Sequence, residues 1–157
     1  MNADPAVMEH FPTTLSATDS DAFVDRIEKH FSEQGYGLWA VAVSGQFIGF
    51  TGLSWATWAA DFTPALEVGW RLARQAWGHG YASEAATAAL QRGFQHVPSI
   101  VSFTALTNQR SVRVMERIGM RYEADFDHPR FPDRHRLKRH ARYRANRETW
   151  PTAPAQR

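Results

Sequence analysis

LEVGWRLARQAWGHGYASEAATAAL, residues Leu66 to Leu90, decides how this chain is read. Leu66 to Leu72 is β-rich, the alanine-rich stretch from about His79 to Gln95 is helical, and Gln75, Gly78 and Gly80 sit at the joint. A helix leaves its first backbone N–H groups without intrahelical partners and carries partial positive charge there, so a loop that bares those donors makes an anion site. Glycine has no Cβ and lets the main chain approach a phosphate closely. The joint therefore reads as a pyrophosphate cradle, with an ordinary strand-to-helix turn as the plainer alternative.

Upstream, Phe23, Ile27 and Phe31 recur at i, i+4, i+8 between Ser16 and Gly35, with Ser16 and Asp19 spaced as a capping box and Gly35 as a stop. Gly37–Val43 and Gln46–Ser54 are β-rich runs joined at Ser44-Gly45, which predicts a hairpin. The next segment, WATWAADFTPA, is expected to loop; its Trp55, Trp58 and Phe62 either line a substrate wall or pack as a lid on the core. Downstream the pattern predicts a strand over Ser99–Leu106, a helix over Gln109–Ile118 ending at Gly119, and two strands over Met120–Asp127 and Lys138–Asn146. Trp150 onward, with two prolines, reads as a frayed tail, so one domain over residues 1–150 is expected.

At 157 residues, 43% apolar and 13% aromatic, the chain is long enough for one core and short for two. The polar, proline-broken start MNADPAVMEHFPTT resembles neither a signal peptide nor a membrane span, so the expectation is a soluble cytoplasmic protein without a membrane partner. Without cysteine there is no disulfide, no thiolate-bound zinc and no covalent thioester on the protein, which leaves direct transfer for any acyl chemistry. The formal charge is only +2, yet residues 130–147 carry eight Lys or Arg against one acid, Asp133. This basic strip could attract nucleic-acid phosphates, steer an acidic substrate, or simply decorate an edge strand; the last is the stronger reading. His128, His135 and His140 lie in the strip, but their spacing matches no compact metal site and no metal is expected.

The Gln75-x-x-Gly78-x-Gly80 order resembles the Q/R-x-x-G-x-G/A loop of the GNAT N-acetyltransferases. TNQRSVRVMERIGMRY, from Thr107 to Tyr122, is similar to the Asn-x-x-Ser block that follows the fifth strand of that family. NADPAVMEHFP, GLWAVAV, FIGFTGL, EVGWRL, WGHGYASEAA, FDHP and RHARYR extend the likeness over nearly the whole chain and point to the RimJ/RimL-like branch. The resemblance implies an α/β (α+β) GNAT fold, a mixed central sheet splayed between the strands at 66–72 and 99–106 and flanked by helices, with acetyl-CoA as co-substrate in the gap. The main chain around Val68, Trp70 and Leu72 would pair with the pantetheine. Amides from Gln75 through Trp77, Gly78, His79 and Gly80 to Tyr81 would hold the phosphates. Asn108 would hydrogen-bond the pantetheine arm, although as a helix N-cap with Ser111 at N3 it has a sufficient local role. The family pattern opens with a strand and most of a helix that have no counterpart before Asn2. Their absence would bare a sheet edge and invite a homodimer.

Acetyl transfer to an amine needs a neutral nucleophile and a proton for the departing thiolate. An α-amine is roughly one-seventh neutral at pH 7, a lysine about once in 2,500 molecules, so an N-terminal amine needs only a modest base. By the resemblance Glu67 is the candidate base; alternatively it is a surface carboxylate or a partner for Arg71. Many relatives place a tyrosine acid where this chain has Met115, which leaves Ser111 as the substitute proton donor or as a plain binding hydroxyl. Asp125, Asp127 and His128 are weaker acceptor contacts. The expected function is acetyl-CoA-dependent transfer to a primary amine, a protein N-terminal α-amine or a small molecule; the alternatives are a catalytically impaired acyl-CoA-binding protein and a ribosome- or RNA-binding module.

Overall fold

The computed structural model describes residues 1–151 of the chain. Residues 1–15 run as successive turns, anchored where Asn2 Nδ2 donates to Ser20 Oγ at 2.8 Å and Leu15 N–H to the Asn2 carbonyl at 2.9 Å. Helix α1 (Ala17–Gln34) starts at the expected capping box: Ser16 Oγ accepts from Asp19 N–H, and the Asp19 carboxylate accepts from Ser16 N–H. Gly35, at φ 73°, ends it. Phe23 meets Phe50 and Phe31 meets Trp39, yet no residue of α1 is fully buried. The helix is a peripheral cover, not a core element.

Six strands follow in one sheet: β1 (Leu38–Val43), β2 (Gln46–Ala56), β3 (Ala65–Leu72), β4 (Ser99–Ala105), β5 (Arg121–Asp127) and β6 (Arg139–Asn146), in spatial order β1-β2-β3-β4-β6-β5. Helices α2 (Tyr81–Gly93) and α3 (Gln109–Arg117) connect β3 to β4 and β4 to β5. All neighbours are antiparallel except β3 and β4, so the sheet is mixed. That parallel pair shares one bridge, Glu67↔Val101; beyond it no further residues pair, and the sheet opens. The small residues of α2 explain its seat on the sheet: Ala86 and Ala89 are buried, and a Cβ on Gly93 would sit 2.5 Å from Ile100 Cδ1. They press against Leu53, Leu66, Val68 and Ile100, all fully buried.

Three expectations need correction. Trp55 continues β2, pairing with Leu66, instead of opening a loop; its indole N–H donates to Tyr36 Oη at 3.0 Å. The helix after the glycine joint begins at Tyr81, not His79, because Gly80 at φ 85° has the left-handed backbone of a cap. Trp150 is not frayed: it is buried against Phe94, and its indole N–H donates to the Ile118 carbonyl at 2.7 Å. The remaining tail, residues 152–157, lies outside the described residues.

Candidate active site

The joint after β3 bares its donors. Arg74–Ala76 form one 3-10 turn, Trp77 is extended, and Gly78 and Gly80 take φ of 82° and 85°, which only glycine adopts without strain. Nothing lies within 4 Å of a Cβ built on either glycine, so the space before them is open. Among the described residues, the N–H groups of Gly78 to Ser83 donate to no other protein group, and no side chain caps α2. The Trp77 indole N–H donates to the Leu72 carbonyl at 2.9 Å and Arg110 lies 4.4 Å over its ring, which fixes the loop to β3 on one side and α3 on the other.

This loop forms one wall of a cleft of about 800 Å³ that passes through the sheet where β3 and β4 part. Trp70 and Leu72 line it from one face of β3, and Glu67, Gly69 and Arg71 from the other. The cleft therefore has two lobes. On the expectation above, the lobe between the glycine loop and α3 is the donor lobe, and the one over the other face, between the N-terminal turns and the hairpin of β5 and β6, is the acceptor lobe.

Glu67 is placed between the lobes. Its half-buried carboxyl group has no hydrogen bond or ion pair among the described residues; burial raises its pKa from 4.5 to about 8, against the opposing charge of Arg130. It is therefore not the partner of Arg71. That guanidinium instead donates to Asn2 Oδ1 at 2.9 Å and lies 4.1 Å over Phe11, with Nε buried and unpartnered. A proton acceptor that titrates near neutrality and faces open space is suited to taking a proton from an amine.

Asn108 is the N-cap of α3: Oδ1 accepts from Ser111 N–H at 3.2 Å, and Nδ2 donates to Thr104 Oγ1 at 2.9 Å and Ser111 Oγ at 3.1 Å. Both amide hydrogens are spent locally, which leaves the side chain one lone pair for a ligand instead of a donor. Ser111 Oγ accepts that bond and lines the cleft with its own proton free. Met115, one turn on, is fully buried in the core and cannot serve a ligand.

The other expected residues divide. Tyr81, Trp77, Gly78 and Gly80 line the cleft; Gln75 and His79 are exposed and do not, His79 stacking instead on Tyr81 at 5.4 Å. Val68 turns its side chain into the core and has only main chain to offer. Trp58 lines the acceptor lobe and Phe62 packs edge-on against it, whereas Trp55 lies in β2 outside the cleft. His128 is in the cleft, whereas Asp125 and Asp127 pair with Arg139 on the sheet edge. Unforeseen was the cationic wall of α3: Arg110, Arg113 and Arg117 all line the donor lobe. Their i, i+3, i+7 spacing was the available signal, since it places three guanidinium groups on one helix face.

A family model described as an acetyltransferase (GNAT) domain matches residues 1–121. The chain belongs to the GNAT acetyltransferase family. It is 32% identical over 125 residues to the uncharacterized protein YkkB of Bacillus subtilis, a match spanning 76% of this chain and 70% of YkkB. Its fold superposes on a GNAT-family acetyltransferase from Bacillus anthracis with a TM-score of 0.73 and 25% identity, over 94% of this chain and 85% of that one. It also superposes on yncA from Salmonella typhimurium, solved with its cofactor acetyl-CoA, with a TM-score of 0.71 over 97% of this chain and 87% of that one. At 13% identity the second structure speaks for the fold alone.

In this GNAT domain four of the strip's eight cations face acids. Arg142 pairs with Asp61 and Glu123, Arg144 with Glu123, Arg139 with Asp125 and Asp127, and Lys138 with Asp133. Among the described residues no three His, Asp or Glu side chains come together as a metal site, and no helix is long and apolar enough to cross a membrane.

Proposed function

We propose that this protein transfers the acetyl group of acetyl-CoA directly to a primary amine. The observation that carries the proposal is the alignment across the opened β3–β4 pair: unpartnered N–H groups at Gly78 to Ser83 on one side, and the unpaired Glu67 carboxyl on the other. The residues fit the co-substrate. Open glycines and helix donors suit its pyrophosphate, Arg110, Arg113 and Arg117 add positive charge, and the β3 edge beyond Glu67 offers main chain to the pantetheine.

In this reading Glu67 takes the proton of the incoming ammonium, directly or through water. The amine nitrogen forms the amide bond and the C–S bond breaks; the second amine proton, shed by the tetrahedral intermediate, is taken up by the Ser111 hydroxyl as that hydroxyl passes its own proton to the departing sulfur. The acceptor is a small molecule or a protein N-terminus; an α-amine suits a base of pKa about 8 better than lysine does. The RimJ/RimL-like branch rests on the quoted motifs. A nucleic-acid module has little support, because the strip's cations at Lys138, Arg139, Arg142 and Arg144 already face acids.

A thermal-denaturation titration with acetyl-CoA tests the donor site: at 100 times its dissociation constant, a ligand of the folded state adds about 2.7 kcal/mol. A flat titration refutes the proposal. Thiol release on adding amines then tests transfer, and silence across a broad amine panel with binding retained would favour an acyl-CoA-binding role instead.

A further inference from the structure

The acceptor lobe is unusual in its balance of charge. Among the described residues, Glu67 is the only acid lining the cleft. His128 and His140, whose rings lie 4.9 Å apart in the lobe, are both kept neutral by burial, His128 with a pKa of about 4. Arg130 also lines the lobe, close enough that its charge acts on Glu67. Unlike Lys138, Arg139, Arg142 and Arg144 of the same strip, Arg130 has no carboxylate within 4.0 Å among the described residues. The turn that carries it is pinned: Arg130 N–H donates to His128 Nδ1 at 3.1 Å, and Phe131 N–H to the His128 carbonyl at 3.2 Å. A guanidinium at the mouth of a site without an acid partner, its charge felt at Glu67, is suited to a carboxylate brought by the ligand.

The wall beside it is apolar and stiff. Trp58 packs edge-on to Phe62 and Phe103 at 5.4 and 5.5 Å and stacks on Phe126 at 5.8 Å, and Phe131 packs edge-on to His128 at 5.7 Å. Trp58, Phe103 and Phe131 turn a face to the lobe. Polyamines and aminoglycoside-like polycations would find one acid there and an opposing arginine, a poor electrostatic match.

We propose that the acceptor is a free amino acid with an apolar or aromatic side chain, with its amine at Glu67, its carboxylate on Arg130 and its side chain against Trp58, Phe103 and Phe131. The inference rests on the acetyltransferase reading and narrows its acceptor. Arg130 is then a specificity-determining residue whose loss falls hardest on acceptors that carry the carboxylate.

The test measures thiol release from acetyl-CoA with the apolar and aromatic amino acids, each beside its amide and its decarboxylated amine. At least one free amino acid should exceed both counterparts in kcat/KM by roughly tenfold or more. Arg130→Gln should raise KM for that amino acid by a similar factor, well beyond the change that loss of its charge beside Glu67 makes to kcat/KM for the decarboxylated amine, and Arg130→Lys, which keeps the charge, should restore part of the loss. Equal rates across each trio, preference for the amide as expected for a peptide N-terminus, or an equal effect of Arg130→Gln on all three overturns the inference while leaving acetyl transfer standing. Absence of turnover with every free amino acid, with acetyl-CoA still bound, overturns it also. Loss of acetyl-CoA binding itself would instead refute the reading beneath it.

Discussion

Glu67 shows how a residue type and its surroundings divide the work. A carboxylate on a strand is ordinary; one without a partner, raised to about 8 by burial, has the proton affinity that the proposed base requires. Its activity should follow its ionised form, so kcat should climb with pH through about 8 instead of levelling above 4.5, and Glu67→Gln should flatten that limb and lower the rate about 100-fold. A pH–rate profile of both proteins checks this. Stability runs in the opposite direction. The unfolded chain releases the Glu67 proton above pH 4.5 while the fold retains it until about 8, so the folded state loses ground as pH rises through that window. Denaturation midpoints should therefore favour Glu67→Gln over the native protein at pH 9 and match it at pH 4. Ser111 and Asn108 separate by a similar comparison. Ser111→Ala keeps the N–H that Asn108 caps but removes the oxygen that Asn108 Nδ2 donates to, so it should cost about 1 kcal/mol while kcat falls; Asn108→Ala should lose about 1 kcal/mol of stability by removing the cap. An unchanged kcat in Ser111→Ala would reduce Ser111 to a structural residue.

Among the elements, the glycine joint is decided by backbone, not side chains. Gly78 and Gly80 are left-handed, and Gln75 and His79, which share the motif, stand outside the cleft. Gly78→Asp should abolish acetyl-CoA binding by placing bulk and negative charge where the phosphates belong; calorimetric titration that returned an unchanged affinity would refute the assignment of the loop. Helix α3 contributes differently, with its N-cap supporting Ser111 and its arginine face charging the opposite wall. Arg113→Gln with Arg117→Gln should weaken acetyl-CoA roughly tenfold at low salt and less at high salt, since screening erodes exposed charge first. A loss independent of salt would point to damaged packing instead.

For the whole molecule, the governing feature is a sheet closed at one end and open at the other. β3 and β4 meet only at Glu67↔Val101, and the cleft passes through the gap, so residues from both sheet faces serve one site. The far end of the chain holds this frame together: Trp150 covers Phe94 and bonds to Ile118 across the end of α3. Trp150→Ala should cost about 3–5 kcal/mol, as for other buried aromatics, read as a shift in the chemical-denaturation midpoint. A change under 1 kcal/mol would return Trp150 to the tail.

Local order was legible before any contact was known. The capping box at Ser16, the hairpin at Ser44-Gly45, the glycine joint and the β-α-β-α succession all depend on neighbours within a few residues, so spacing alone reports them. What chain neighbours could not report was pairing over distance. That Trp58, Phe103 and Phe131 share a wall, that four of the strip's cations meet acids while Arg130 does not, and that Trp150 reaches Ile118 all follow from packing between segments far apart in the chain. The sequence by itself determined where backbone donors are left bare, because a helix N-terminus and its glycines are local physics. Only the tertiary structure decided which carboxylate loses its water, because desolvation is a property of everything packed around Glu67.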